Sequence, residues 1–132
     1  MKETVNMLKA LGDETRLRIY MLLSEKGELC VCDITSIIEI TQTHASRSLG
    51  VLKNAGLVKD RRDGLWMHYS IIKEGISEAV MSFVGEISRG NETLKNDIKK
   101  SKIVLKKNAG CCKKYCKQEK LALKENLIGN TN

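Results

Sequence analysis

The chain has 132 residues, 42% of them apolar and 30% charged, a size and balance that suit about one globular domain and exclude a disordered or fibrous chain. No apolar run nears the roughly 18 residues of a membrane span, and the charged start at Lys2 and Glu3 is unlike an export signal, so a cytoplasmic protein with no membrane partner is expected. The formal net charge of +7 comes wholly from the end of the chain: residues 1–90 hold 12 basic and 12 acidic side chains, and residues 91–132 hold 11 lysines and 4 acids. Charge alone therefore does not argue for nucleic acid, and local arrangement must.

In chain order, Thr4 to Leu11 is apolar-periodic and stops at Gly12, which predicts a short first helix. Asp13 is an expected N-cap for a second, with Leu17, Ile19, Tyr20, Leu22 and Leu23 as its apolar face and Lys26-Gly27 as its end. Glu28 to Val31 reads as a short strand. Asp33 is then the expected cap of a helix over Ile34 to Ile40. Thr41 caps the next, Gln42 to Asn54, whose stripe of Ala45, Leu49 and Leu52 faces inward and whose end is marked by Gly56. Two short helices joined at Glu39-Ile40-Thr41 form the helix-turn-helix pattern.

Beyond Gly56 the period becomes alternating. Leu57-Val58-Lys59 and Trp66 to Ile71 predict two strands, with Asp63-Gly64 as the hairpin turn and Arg61 and Arg62 near its tip. A basic hairpin after a helix-turn-helix is a wing. Ile76, Ala79, Val80, Phe83, Val84 and Ile87 then make one apolar stripe, expected to cover the domain and to bury part of its face against a second copy. The expected fold is mainly α with a small β-hairpin, a dimeric winged helix-turn-helix. Residues 1–89 form the DNA-binding and dimerisation domain, and residues 90–132 a Lys/Cys-rich tail in which 92–107 has helical periodicity.

Five cysteines fall in two clusters, Cys30/Cys32 and Cys111/Cys112/Cys116. In a reducing compartment such clusters point to metal binding or redox chemistry rather than to a disulfide framework. The segment from Leu8 through Gly12-Asp13-Glu14-Thr15-Arg16 to Ile19, followed by Glu28-Leu29-Cys30-Val31-Cys32-Asp33-Ile34, resembles the arsenical-resistance repressor family (ArsR/SmtB). The resemblance runs from about Leu8 to Ile71. It implies a homodimeric winged-helix repressor with thiolate ligands at Cys30 and Cys32, whose inducer is arsenite, antimonite, cadmium or lead. Members with a third cysteine carry it three residues beyond the second, where this chain has Thr35. Others recruit cysteines from an N-terminal extension, and no cysteine precedes Cys30 here. A C-terminal Cys-Cys-x(n)-Cys arrangement also occurs in the family, and Cys111, Cys112 and Cys116 are similar to it.

Soft thiolates suit As(III), Sb(III), Cd, Pb or Hg rather than hard ions. On a regular helix the i, i+2 pair Cys30 and Cys32 would point about 200° apart, so joint binding of one ion predicts an unwound turn at the helix start. Two buried, inert cysteines are the plainer alternative. In the tail, nearby lysines favour thiolate, and three sulfurs match the pyramid that trivalent arsenic requires; incidental thiols are again the plainer alternative. Three arrangements stay open: the tail completes the Cys30/Cys32 site, it binds a second ion alone, or a small thiol supplies the third sulfur. No histidine follows His68, which argues against a histidine-rich zinc site on the dimer helix.

For DNA, Gln42, Thr43, His44, Ser46 and Arg47 occupy the outer face of the recognition helix, where Gln suits adenine and Arg suits guanine. Lys53, Arg61 and Arg62 are expected on phosphates. A two-fold dimer predicts an operator that is an imperfect inverted repeat of double-stranded DNA. DNA binding itself should need no cofactor. A thiol redox regulator of the same fold and a soft-metal buffer are the competing readings, though a buffer leaves the wing unexplained. No acid–base set or anion loop around Cys30 supports an enzyme.

Overall fold

The computed structural model describes residues 1–107. The elements in order are α1 (Lys2–Leu11), α2 (Glu14–Lys26), β1 (Leu29–Cys30), α3 (Val31–Ile38), α4 (Gln42–Asn54), β2 (Val58–Asp63), β3 (Trp66–Ile71), α5 (Ile76–Ile87) and α6 (Glu92–Lys107). Helix α2 is the centre of the packing. Its Ile19, Tyr20, Leu22 and Leu23 are all buried, and they meet Ile34 and Ile37 of α3 and Leu49 and Leu52 of α4 in one apolar cluster. Burying a side chain of this size contributes about 1.5–3 kcal/mol, so this cluster fixes how α3 and α4 sit on α2.

The caps explain most boundaries. The Asp13 carboxylate accepts the Arg16 N–H at 3.1 Å and starts α2 as expected. Thr41 Oγ1 accepts the His44 N–H at 3.1 Å and starts α4. At the far end of α4, Gly56 takes φ +79°, its N–H reaches the Lys53 carbonyl, and the Leu57 N–H reaches the Leu52 carbonyl. That paired arrangement, with Leu52 and Leu57 both buried, turns the chain from recognition helix into wing. The start of α3 differs from expectation. The helix begins at Val31, and the cap is Cys30, whose Sγ accepts the Asp33 N–H at 3.4 Å. Strand β1 pairs with β3 up to Cys30, so the chain enters the helix two residues before Asp33.

The sheet has the order β1-β3-β2, antiparallel throughout. Strand β2 is longer than the alternation of apolar residues predicted: it runs through Arg61, Arg62 and Asp63, and Asp63 pairs with Trp66. The two-residue loop is therefore Gly64-Leu65, with Gly64 at φ +64° in the first loop position, where a type II′ turn needs glycine. Cross-strand pairing continues although these residues are polar because both faces near the tip meet solvent.

Helix α5 divides its apolar stripe. Ser77, Val80 and Val84 are buried, while Ile76, Phe83 and Ile87 stay 44%, 57% and 64% exposed along the adjoining edge. Helix α6 packs against α2 and α3. Asp97, 5% exposed, takes a two-pronged hydrogen bond from the Arg18 guanidinium at 2.8 and 2.9 Å. Ser101 is buried, Val104 and Leu105 lie against the core, and Lys100 pairs with Glu39 at 2.8 Å. The packed body thus continues past residue 89 to the end of α6. Leu94, Ile98 and Leu105 supplied the period for the helix, but its docking depends on the polar residues Asp97 and Ser101, which periodicity passes over.

Candidate nucleic-acid interface and thiol site

The capped start of α4 and its buried Ala45, Ser48 and Leu49 leave one polar face outward. Gln42, Thr43, His44, Ser46 and Arg47 are all exposed on it, in the first two turns of the helix. Side chains there can enter a major groove while the buried stripe anchors the helix to α2 and α3. Among the cations assigned to phosphates, two already hold acids within the chain. Lys53 Nζ lies 2.8 Å from Asp60, and Arg61 is bound through both prongs to Glu28, which immediately precedes β1. Arg62 is exposed on β2 beside them. Contact with a backbone phosphate by Lys53 or Arg61 would exchange one anion for another. The Glu28 and Asp60 pairings were not legible in the sequence, because they depend on how the hairpin folds back over β1 and α4.

The thiol site sits where the sheet meets the helix-turn-helix. Cys30 is the last residue of β1, opposite His68 of β3, and it is 1% exposed. Cys32 is in the first turn of α3 and half-buried. Because Cys30 has an extended backbone (φ −82°, ψ 160°), the i, i+2 argument for a regular helix does not apply. The two Sγ atoms and a carboxylate oxygen of Asp33 lie within 4.8 Å of one another. The unwinding expected from the sequence assumed a helical residue 30, whereas Cys30 is the extended cap residue before the helix.

Thr35 Oγ1 donates to the Cys32 carbonyl at 2.8 Å, one turn on, where a third cysteine would stand. Burial raises the Asp33 carboxyl above the ordinary carboxylate range, and His68 opposes that shift. Cys111, Cys112 and Cys116 lie outside the described residues.

A helix-turn-helix with a polar outer face, followed by an antiparallel hairpin and carried on a helical core, defines a winged-helix DNA-binding regulator. Residues 13–60 match the family model described as "Bacterial regulatory protein, arsR family". The chain belongs to this family of transcriptional regulators, which are not enzymes. It is 48% identical over 67 residues to an arsenical resistance operon repressor of Escherichia coli K12, a match covering 51% of this chain and 57% of that protein. It is 42% identical over 78 residues to a cadmium resistance transcriptional regulatory protein CadC homolog of Staphylococcus aureus, covering 59% and 64%. These matches take in little more than half of those relatives' lengths. The fold matches the homodimeric winged helix-turn-helix domain of Mb0332 from Mycobacterium bovis, with TM-score 0.59 and 30% identity, covering 69% of this chain and 82% of that one. No described helix is long and apolar enough to cross a membrane.

Proposed function

We propose that the chain is a homodimeric repressor that holds operator DNA in its ion-free form and releases it when a soft metal or metalloid ion binds Cys30 and Cys32. The observation that carries this reading is the placement of the two sulfurs at the junction of β1 and α3. An ion drawing them together acts on two DNA-facing elements at once. Through α3 it pushes on α4, which packs against it, and through the Cys30–His68 pair it pushes on the wing strand β3. Small displacements suffice, because base contacts depend on ångström-scale placement of α4. By linkage, DNA must weaken ion binding by the same factor.

Arsenite and antimonite need three sulfurs, and Thr35 supplies none. The tail cysteines 111, 112 and 116 are the proposed source. Helix α6 is docked on α3, the helix that carries Cys32, and residue 111 follows Lys107 by four positions, a reach of at most about 14 Å. The relatives named for arsenical and cadmium resistance support inducers of both kinds. Gln42, Thr43, His44, Ser46 and Arg47 would read bases, with Lys53, Arg61 and Arg62 on phosphates. The exposed apolar edge of α5 and the homodimeric state of the Mb0332 domain support a two-fold assembly on an imperfect inverted repeat. Such a regulator works in the cytoplasm, with the DNA.

The test is operator release, read by fluorescence anisotropy, as arsenite or Cd²⁺ is added in excess phosphine reductant, which keeps thiol oxidation out of the comparison. The wild-type chain should let go. A Cys30→Ser/Cys32→Ser double variant should bind operator normally and stay bound. Release by the double variant, or none by the wild type, overturns the reading.

A further inference from the structure

Helix α6 lies beyond the segment that the family model matches, which ends at residue 60, and its packing leaves its charge unexplained. Lys95, Lys99, Lys102 and Lys106 are spaced i, i+4, i+7 and i+11 along it, and all four are exposed. At 3.6 residues per turn this spacing puts them within an arc of about 60°, in one stripe about 16.5 Å long. Asp97, Ser101 and Val104, which dock the helix, take the opposite side. Between Lys95 and Lys106 the one acid is Asp97, buried and bonded to Arg18. Among the described residues none of the four lysines holds an ion pair, whereas Lys53 and Arg61 near the wing already do. Like charges so spaced repel one another and weaken a helix unless an outside anion meets them.

The neighbouring Lys100, off the stripe, reaches Glu39 at 2.8 Å, and Glu39 is the left-handed residue (φ 61°) of the turn between α3 and α4. Helix α6 is thereby fixed beside the turn that leads into the recognition helix, and phosphates flank the groove such a helix enters. One strand of a duplex carries a phosphate about every 3.4 Å of axis, so about five pass along the length of the stripe. An acidic membrane would also suit the charge, but a helix lying in a bilayer buries an apolar face there. In α6 that face, with Val104 and Leu105, is packed on the protein core. We propose that Lys95, Lys99, Lys102 and Lys106 form a second DNA-contacting surface, which takes backbone phosphates flanking the half-site read by α4. The stripe adds affinity for any duplex sequence and leaves base choice to the face from Gln42 to Arg47. The inference rests on the DNA-binding reading above, and the experiment separates the two.

Operator and scrambled duplexes of equal length, each running one helical turn past the inverted repeat on both sides, are titrated with the full-length reduced chain over a range of salt. The Lys95→Gln/Lys99→Gln/Lys102→Gln/Lys106→Gln variant should weaken binding to both duplexes by the same factor. Its plot of log affinity against log salt should be shallower by at least about two units, since each lost phosphate contact removes about 0.9. Trimming the duplex to the inverted repeat should flatten the wild-type plot by the same amount and leave the variant nearly unchanged. The wild-type arm needs no substitution, so it holds even where the variant folds poorly. An unchanged slope in the folded variant, or equal losses on trimming in both chains, overturns the stripe's role while operator preference survives. Cosedimentation with phosphatidylserine vesicles that the variant loses, its DNA slope unchanged, overturns the proposal in favour of a membrane. A wild-type chain that binds operator no better than scrambled duplex overturns base reading by α4 instead.

Discussion

At the scale of single residues, the wing strand β2 is tied to its neighbours by two ion pairs. Arg61 lies against Glu28 and Lys53 against Asp60. The Arg61 hydrogen bond holds the Glu28 carboxyl below its ordinary range, so the pair persists above that range and is lost only as acid protonates Glu28 through its lowered value. Both partners are well exposed, and the pair adds little to stability. Its effect falls on DNA binding, where Glu28 competes with phosphate for the same guanidinium. Glu28→Gln should tighten operator binding at low salt and steepen the slope of log affinity against log salt by about one unit, as one more cation becomes available. An unchanged slope in a salt titration would show that Arg61 does not meet the phosphates.

Among the elements, α6 is held to α2 by a buried ion pair. Asp97 is buried, and Arg18 of α2 is its ion-pair partner across the helix interface. Hydrogen bonding to Asp97 is the main cause that raises the Arg18 guanidinium above its ordinary range. Removing one member of a buried pair costs about 3–5 kcal/mol, and Arg18, being a quarter exposed, belongs at or below the lower end of that range. Arg18→Ala should lower unfolding free energy by about 2–3 kcal/mol in urea melts, and amide exchange along α6 should quicken before that of α2 or α4. A loss of only a few tenths of a kcal/mol would mean that Val104 and Leu105 hold α6 unaided.

For the molecule as a whole, the exposed edge of α5 is the feature a single chain leaves unfinished. Ile76, Phe83 and Ile87 are spaced i, i+7 and i+11 and form one line on the helix, while α1 beside it exposes Val5 and Leu8. Contiguous apolar surface of this kind marks an association site in a soluble protein. If the proposed homodimer forms through this edge, Phe83→Asp should make the chain sediment as a monomer and weaken operator binding far more than it changes the far-UV circular dichroism. Binding to a half-site should survive, because α4 and the wing stay intact. A Phe83→Asp chain that sediments as a dimer would move the two-fold interface elsewhere.

What the sequence determined by itself is what local chemistry specifies. Asp13 and Thr41 as caps, Gly56 as the exit from α4, the polar face from Gln42 to Arg47 and the glycine at the hairpin turn are each readable because a short stretch of backbone needs that residue type. The Glu28–Ile34 string pointed to both cysteines through its resemblance to the arsenical-resistance repressor family, not through local backbone chemistry. What only the tertiary structure decided depends on chain segments far apart in sequence. Pairing of β1 with β3 keeps residue 30 extended and makes Cys30, rather than Asp33, the cap of α3. That one difference brings two sulfurs and a carboxylate together instead of pointing the cysteines apart. The docking of α6 through Arg18 and Asp97 and the division of the α5 stripe into buried and exposed edges are likewise settled by which surfaces meet, and periodicity along one element carries no information about its neighbours.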